Sequence, residues 1–254
     1  MITIAQIEMF VLVFIRIAAI VFMAPVFSSQ NIPPRIKAGL SAVIALLLFQ
    51  WVKVVRPTLP MNLCDLAVAL IGEVALGAAL GYMFSLIFAA VMLAGQVAGF
   101  QMGFGIVNIV DPMSSNQMSV IGLFKNIMAL LLFLSINAHH WILWALAESF
   151  NKIPLMGFTM SGNHVEYLVQ LTGQMFVMAV KIAAPIMAVS LFASVAMGLI
   201  ARSVPQINVF IVGFPLKIAA GLFALGISLP FILSYLKDVF ERRGTEVLHL
   251  FSLV

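Results

Sequence analysis

The adjacent residues His139 and His140 are the pair best suited to metal binding or proton transfer, because histidine titrates near neutral pH. Neighbouring side chains on a helix point about 100° apart, so the pair is a poor chelate by itself. His164 and His249 lie far away in the sequence, and no recognised spacing of metal ligands connects these residues. We therefore expect no metal site and interpret the pair as polar packing beside Trp141.

Motifs for nucleophilic or cofactor chemistry do not occur in this sequence. It contains no Gly-x-Ser-x-Gly elbow, and its carboxylates are few. Gly103 and Gly105 are not followed by the Gly-Lys-Ser/Thr of a phosphate-binding loop. The single cysteine, Cys64, cannot form a disulfide within the chain. The sequence thus predicts a protein that is not an enzyme and that needs no cofactor.

Ionisable side chains inside apolar stretches are stronger candidates for function, since a charge at the centre of a membrane helix costs about 2.5–3.5 kcal/mol. There are five of them: Arg16, Glu73, Lys125, Lys181 and Lys217. A proton relay among them would indicate an ion or small-solute transporter, whereas interhelical or intersubunit ion pairs would indicate a structural subunit. Because four of the five are cations, we favour pairing with acidic groups of other subunits.

The composition indicates that lipid or close protein neighbours surround these charges. Of the 254 residues, 63% are hydrophobic and 9% are charged, whereas soluble domains carry about 25% charged residues. The formal charge of +4 is modest and suggests no nucleic acid partner. The N-terminus lacks a basic region and a cleavage site, so we expect the first apolar run to be retained. The fold class predicted is an all-α membrane protein.

Six apolar runs give the predicted helices, at about residues 9–26, 38–52, 66–93, 120–147, 165–200 and 209–236. The second run is short for a membrane span, which needs about 20 residues. The last two runs form an antiparallel hairpin, because their connection is short. The turn of this hairpin contains Arg202, Pro205 and Gln206. Residues 237–254 form an amphipathic tail of the kind that suits an interface or a partner.

Gly77 and Gly81 have the Gly-x-x-x-Gly spacing that lets two helix backbones approach closely. Such pairs are common in apolar segments. We interpret this pair as an ordinary packing face within a helical bundle and not as a specific dimerisation motif.

The segment at about residues 95–118 is glycine-rich and unlike an ordinary membrane helix. Gly99, Gly103 and Gly105 weaken a helix, and the dipeptide Asp111-Pro112 ends one. Non-helical backbone at membrane depth is tolerated only where it is buried in protein or lines a cavity. We therefore predict a loop that plugs a pore, formed by Phe100, Gln101, Met102, Gly103, Phe104, Gly105, Ile106, Val107, Ile109, Asp111, Pro112 and Met113.

Three parts of the sequence together resemble one protein family over nearly the whole chain. They are APVFSSQNIPPRIKAGL at residues 24–40, GFQMGFG and VDP within residues 99–112 together with NAHHW at 137–141, and PQINVFIVGFPLK at 205–217. In their order and spacing they are similar to the family of the flagellar biosynthetic protein FliR, which belongs to the type III secretion export apparatus.

This resemblance implies a set of partners and a division of the chain. It implies one copy of the chain in an export gate with several FliP and FliQ subunits, with FlhB as a further partner, in the bacterial inner membrane at the flagellar basal body. It implies a FliP-like part over residues 1–164 and a FliQ-like hairpin over 165–236, followed by the tail. The gate would pass unfolded export substrates, and the central loop would close the resting pore. Without the resemblance, a small-solute or ion transporter is an equal alternative.

Overall fold

The computed structural model describes residues 4–25, 27, 32–49, 63–104, 119–204, 206 and 208–252. In this part of the chain all the regular elements are helices, which confirms the predicted all-α class. They are α1 (Ile4–Met23), α2 (Pro34–Phe49), α3 (Leu63–Met102), α4 (Val120–Ser135), α5 (His139–Lys152), α6 (Gly162–Ser203) and α7 (Val209–Phe251).

Four of the described helices are long and apolar enough to cross a membrane. These spans are Gln6–Met23, Cys64–Met102, Gly162–Ser203 and Ile211–Phe251, and the broken pair of α4 and α5 would add a fifth. Helix α2 has 16 residues and is shorter than a usual span, as the short second apolar run predicts. The lengths confirm a membrane protein made of apolar helices.

Helix α3 is longer than the sequence predicts. It continues to Met102, so the expected loop is wrong for residues 95–102. The reason is that Gly95 and Gly99 face helix α4. A Cβ atom at Gly95 would collide with the backbone of Gly122, and one at Gly99 would collide with the side chain of Ser119. These glycines permit close helix packing, and that gain exceeds their low helix propensity.

The described chain divides into two compact units. The first unit contains Met1–Leu86, Leu134–Thr172 and Phe240–Val254, and the second contains Ile87–Phe133 and Gly173–Val239. In the first unit, Gly77 and Gly81 lie against helix α1, where a Cβ atom would collide with Ala19 and Met23 respectively. The interpretation of this pair as a packing face is confirmed.

The C-terminal tail of the chain is the end of helix α7, which runs to Phe251. One face of this end is buried, with Phe240, Val247 and Leu250 at most 1% exposed. The indole of Trp141 on α5 covers Gly244 of the same face. The amphipathic pattern therefore has an explanation within the chain, because the apolar face packs on other parts of the first unit.

In the second unit, the parts of α6 and α7 that belong to it run antiparallel, as the sequence predicts for a hairpin. The ammonium of Lys181 lies 5.9 Å from the ring centroid of Tyr235. Five residues further along α6, Ile186 shares a hydrophobic cluster with Ala224 and Leu225. As the residue number rises along α6, the number of the contacting residue on α7 falls, so the two helices run antiparallel.

Candidate functional site

Gly103 ends helix α3 within the segment for which a pore-closing role was predicted. Its φ angle is +96°, in the left-handed region that favours glycine. The amide of Gly103 donates to the carbonyl of Phe100 at 3.1 Å, and the amide of Phe104 donates to the carbonyl of Gly99 at 3.0 Å. These two bonds form a Schellman motif, so the direction in which the chain leaves α3 is fixed by Gly103.

Within the second unit, the end of α3 packs against helices α6 and α7. Met102 is fully buried in a cluster with Ala98, Ile121, Ile186, Ala224 and Leu225, and Phe104 packs against the same cluster. A Cβ atom at Gly221 would collide with Met102, and one at Gly103 would lie 2.7 Å from the ring of Phe214. Phe100, by contrast, is 74% exposed, and Gln101 is exposed. The last turn of α3 therefore has one buried face and one exposed face that carries Phe100 and Gln101.

Ser119 holds the other end of the same segment and caps helix α4. Its hydroxyl donates to the carbonyl of Gly95 at 3.2 Å and accepts from the amide of Gly122 at 3.4 Å. Since a Cβ atom at Gly99 would collide with Ser119, the end of α3 and the start of α4 lie side by side. Residues 105–118 thus connect two fixed points that are close together.

Some of the predicted site residues lie outside the part of the chain that the structure describes. They are Gly105, Ile106, Val107, Ile109, Asp111, Pro112, Met113 and Pro205. The described members of the predicted plug are Phe100–Phe104, and those of the hairpin turn are Arg202 and Gln206, which are both exposed.

Arg16 and Glu73 form an ion pair in the interior of the first unit. The Arg16 Nε atom donates to Glu73 Oε2 at 2.5 Å, and one terminal nitrogen donates to Glu73 Oε1 at 3.1 Å. Both side chains are fully buried. The bidentate geometry joins α1 to α3 and gives each charge the partner that burial requires. Of the interhelical and intersubunit pairings that the sequence left open, Arg16 and Glu73 form the interhelical one within this chain.

Groups of the α5–α6 region complete the hydrogen bonding of this ion pair. The other terminal nitrogen of Arg16 donates to the carbonyls of Ser149 at 3.1 Å and Ile153 at 3.2 Å. The amide of Met156 donates to Glu73 Oε1 at 2.8 Å. These are mostly backbone groups, which carry no signature in the sequence. A Glu73 carboxylate so fully bonded and buried also disfavours the proton-relay hypothesis.

Lys125 is buried in the second unit, close to a proline inside helix α6. Its ammonium donates to the carbonyl of Ile182 at 3.4 Å, and the residue is 4% exposed. Pro185 has no amide proton, so it cannot supply the helix hydrogen bond to the carbonyl of Lys181. Lys125 thus provides a donor to the turn of α6 that the proline disturbs.

Lys181 and Lys217 have no carboxylate partner among the described residues. Lys181 is exposed beside Tyr235, and Lys217 is half-buried on α7. In the described part of the second unit, Asp238 is the sole carboxylate, near the end of that unit's share of α7. Pairing of these two lysines with acidic groups of other chains is therefore still a prediction.

The histidines have packing roles in the described structure. The rings of His139 and His140 meet edge to face at 4.4 Å. The Nδ1 atom of His164 accepts the amide of Ser161 at 3.2 Å, at the start of α6. No group of three or more potential metal ligands occurs among the described residues.

The described structure is that of a helical membrane protein whose buried polar groups stabilise the fold. Its glycine-rich segment is held at Gly103 on one side and at Ser119 on the other. Residues 7–243 match the model of a family described as bacterial export proteins, family 1. The chain belongs to this family. It is therefore a component of a bacterial export apparatus, and its apolar helices assign it to the inner membrane.

Relatives with established names are similar to this chain over most of its length. The flagellar biosynthetic protein FliR of Bacillus subtilis (strain 168) is 35% identical over 248 residues, which cover 96% of this chain and 95% of the relative. FliR of Pectobacterium carotovorum subsp. carotovorum is 34% identical over 234 residues, 90% of this chain and 87% of the relative. FliR of Escherichia coli (strain K12) is 29% identical over 235 residues, 90% and 87% respectively. These similarities confirm the family resemblance inferred from the sequence.

Proposed function

We propose that this chain is a subunit of the flagellar type III export gate and forms, with FliP and FliQ, the channel that passes unfolded flagellar proteins. The match to the export family over residues 7–243 is the observation that carries the export role, and the FliR names of the relatives support the flagellar system. In this proposal one copy of the chain contributes a FliP-like part over residues 1–164 and a FliQ-like hairpin over 165–236. FlhB is a further partner.

The exposed surface of the hairpin supports an assembly with other subunits. In the most apolar 18-residue stretch of each span, 33% of the residues of α6 and 28% of those of α7 are buried within the chain, against 67% in α3. The exposed side chains of the hairpin are mostly large and apolar, as at Phe192 and Phe223, each 72% exposed. Such surfaces need lipid or other membrane helices as neighbours.

The anchoring of residues 105–118 supports their role in closing the resting channel. Gly103 and Ser119 hold the end of α3 and the start of α4 next to each other, so the two points between which this segment runs are fixed. A segment that closes a channel needs fixed ends, because the ends must stay in place while substrate displaces the residues between them. The channel itself would then need no catalytic group.

Shortening the loop tests this function. Deleting residues 105–111 keeps the Gly103 cap and the Ser119 anchor, and the remaining seven residues can still join two adjacent points. We expect the ion conductance of the resting gate to rise at least about tenfold, as expected when a hydrophobic constriction is removed. Conductance is measured on the purified assembly in planar bilayers.

A matched control replaces the same seven residues with glycine and serine, which preserves the loop length but removes the apolar seal. This variant is also expected to leak. Resting conductance equal to that of the unaltered chain in both variants, with normal amounts of assembled gate, would rule out the closure role.

Lys217 gives a second test of assembly. We expect Lys217→Glu to reduce the recovery of the chain with FliP and FliQ several-fold, because the charge reversal places a carboxylate opposite the acidic group that the lysine would pair with. Lys152→Glu is the matched control, since the Lys152 side chain is 56% exposed on α5. Recovery is measured by affinity purification from membranes. An undiminished complex with Lys217→Glu would contradict the proposed pairing.

A further inference from the structure

Gly226 in helix α7 differs from the glycines that pack within the chain. A Cβ atom at Gly77, Gly95, Gly221 or Gly244 would collide with another helix of this chain, whereas one at Gly226 would meet no described atom within 4 Å. A glycine inside a helix costs about 1 kcal/mol relative to alanine. No described contact within the chain offsets that cost at Gly226.

The backbone carbonyl of Gly226 lacks its usual hydrogen-bond donor. In a regular helix the amide of residue 230 would donate to it, but residue 230 is Pro230, which has no amide proton. The nearby hydroxyl of Ser228 is occupied, since it donates to the carbonyl of Leu225 at 3.1 Å. Gly226 is exposed and has no side chain to shield the carbonyl. An unsatisfied carbonyl facing hydrocarbon costs several kcal/mol.

The surface around this carbonyl is apolar. Phe223 is 72% exposed and Ile227 is 65% exposed, and both lie within one turn of Gly226. The spacing of residues 223, 226 and 227 puts Gly226 on the same helix face as these two side chains, and its missing side chain lets another helix backbone approach closely.

We infer that a notch formed by Gly226, Phe223, Ile227 and Pro230 receives a membrane helix of a neighbouring subunit, which donates a hydrogen bond from a hydroxyl or amide side chain to the Gly226 carbonyl. A lipid chain could fill the apolar surface but has no donor for the carbonyl. A helix with a serine, threonine or asparagine at the contact supplies both apolar packing and a donor. This inference rests on the proposed multi-subunit gate and specifies one of its contacts.

The test exploits the different responses of lipid and protein neighbours to added bulk. Gly226→Leu is expected to lower the recovery of other gate subunits about tenfold, because the leucine fills the space of the neighbouring backbone. The amount of the chain in the membrane is expected to stay the same, since a Cβ atom added at Gly226 would meet no described atom of the chain within 4 Å. Gly39→Leu on α2, where an added Cβ atom also meets no described atom within 4 Å, is the matched control outside the notch and should leave recovery unchanged.

A second variant tests the hydrogen bond separately. Pro230→Ala restores an amide donor for the Gly226 carbonyl within α7, so a neighbouring donor no longer relieves an unsatisfied acceptor and its hydrogen bond contributes less to assembly. We expect recovery of the complex to fall several-fold in this variant as well. Both variants are purified from membranes that contain the full set of gate subunits, and the subunits are quantified by mass spectrometry.

The possible results distinguish the proposed contact at Gly226 from the proposed multi-subunit gate. Full recovery of the complex with Gly226→Leu would mean that lipid covers this face and would overturn the notch. If the unaltered chain recovers no other subunit, the multi-subunit gate fails, and the notch fails with it. Loss of recovery with Gly226→Leu but not with Pro230→Ala would retain the helix contact and overturn the hydrogen bond.

Discussion

Replacing Arg16 with leucine is expected to lower the free energy of unfolding by about 3–5 kcal/mol, because it leaves the Glu73 carboxylate buried without its partner. The ion pair is fully buried and bidentate, and Arg16 also satisfies the carbonyls of Ser149 and Ile153. Loss of this one side chain therefore removes bonds that join α1, α3 and α5. A loss of this size is a large share of the about 5–15 kcal/mol that stabilises a typical domain.

The double variant Arg16→Leu/Glu73→Leu separates the cost of an unpaired charge from the loss of packing. It should recover much of the stability, because replacing both members of a buried pair by apolar residues is often neutral. The exposed pair of Lys152 and Glu148, with a separation of 4.0 Å, provides the control, and Lys152→Leu should change stability by less than about 1 kcal/mol. Thermal unfolding of the purified protein in detergent measures the stability of the single, double and control variants. Equal stability of the single and double variants would contradict this account.

The Arg16–Glu73 pair also marks a limit of sequence reasoning. The cost of charge in an apolar run correctly identified both residues as needing partners. The count of cations and anions then suggested partners in other chains, but a count contains no distances. Glu73 lies 57 positions from Arg16, and the packing of α3 against α1 brings the two together. The close approach at Gly77 allows this contact, although nothing in the sequence connects that glycine with the charges.

The glycines of helix α3 show a second limit. Sequence alone correctly predicted a packing face at Gly77 and Gly81 but a loop from about residue 95. Gly95 and Gly99 instead pack on α4, and Gly103 ends the helix. The same residue type weakens a helix, permits close packing or caps an end, and the neighbouring element decides which. Long apolar runs and the short hairpin connection, by contrast, specify helices through local chemistry and were predictable.

Gly103→Val is expected to cause the strongest leak of any single substitution in the described part of the proposed closing segment. A β-branched residue at a φ of +96° is strained by about 1–3 kcal/mol, and its Cβ atom would lie 2.7 Å from the ring of Phe214. The chain must then leave α3 in another direction, which moves the attached loop away from its fixed base. We expect resting ion conductance to rise and export of flagellar substrates to fall, both measured in cells with equal amounts of the chain in the membrane.

Two further comparisons show whether the strained backbone angle at Gly103 or the collision with Phe214 causes most of the expected leak. Gly103→Asn should come closer to the unaltered chain than Gly103→Val, because asparagine tolerates positive φ better. Phe214→Ala removes the collision but keeps the backbone angle, so Gly103→Ala/Phe214→Ala should leak less than Gly103→Ala if the collision matters. A Gly103→Val chain with normal resting conductance would mean that the cap does not position the loop. Closure would then have to depend on residues beyond Phe104 alone, and the deletion of residues 105–111 would still raise conductance.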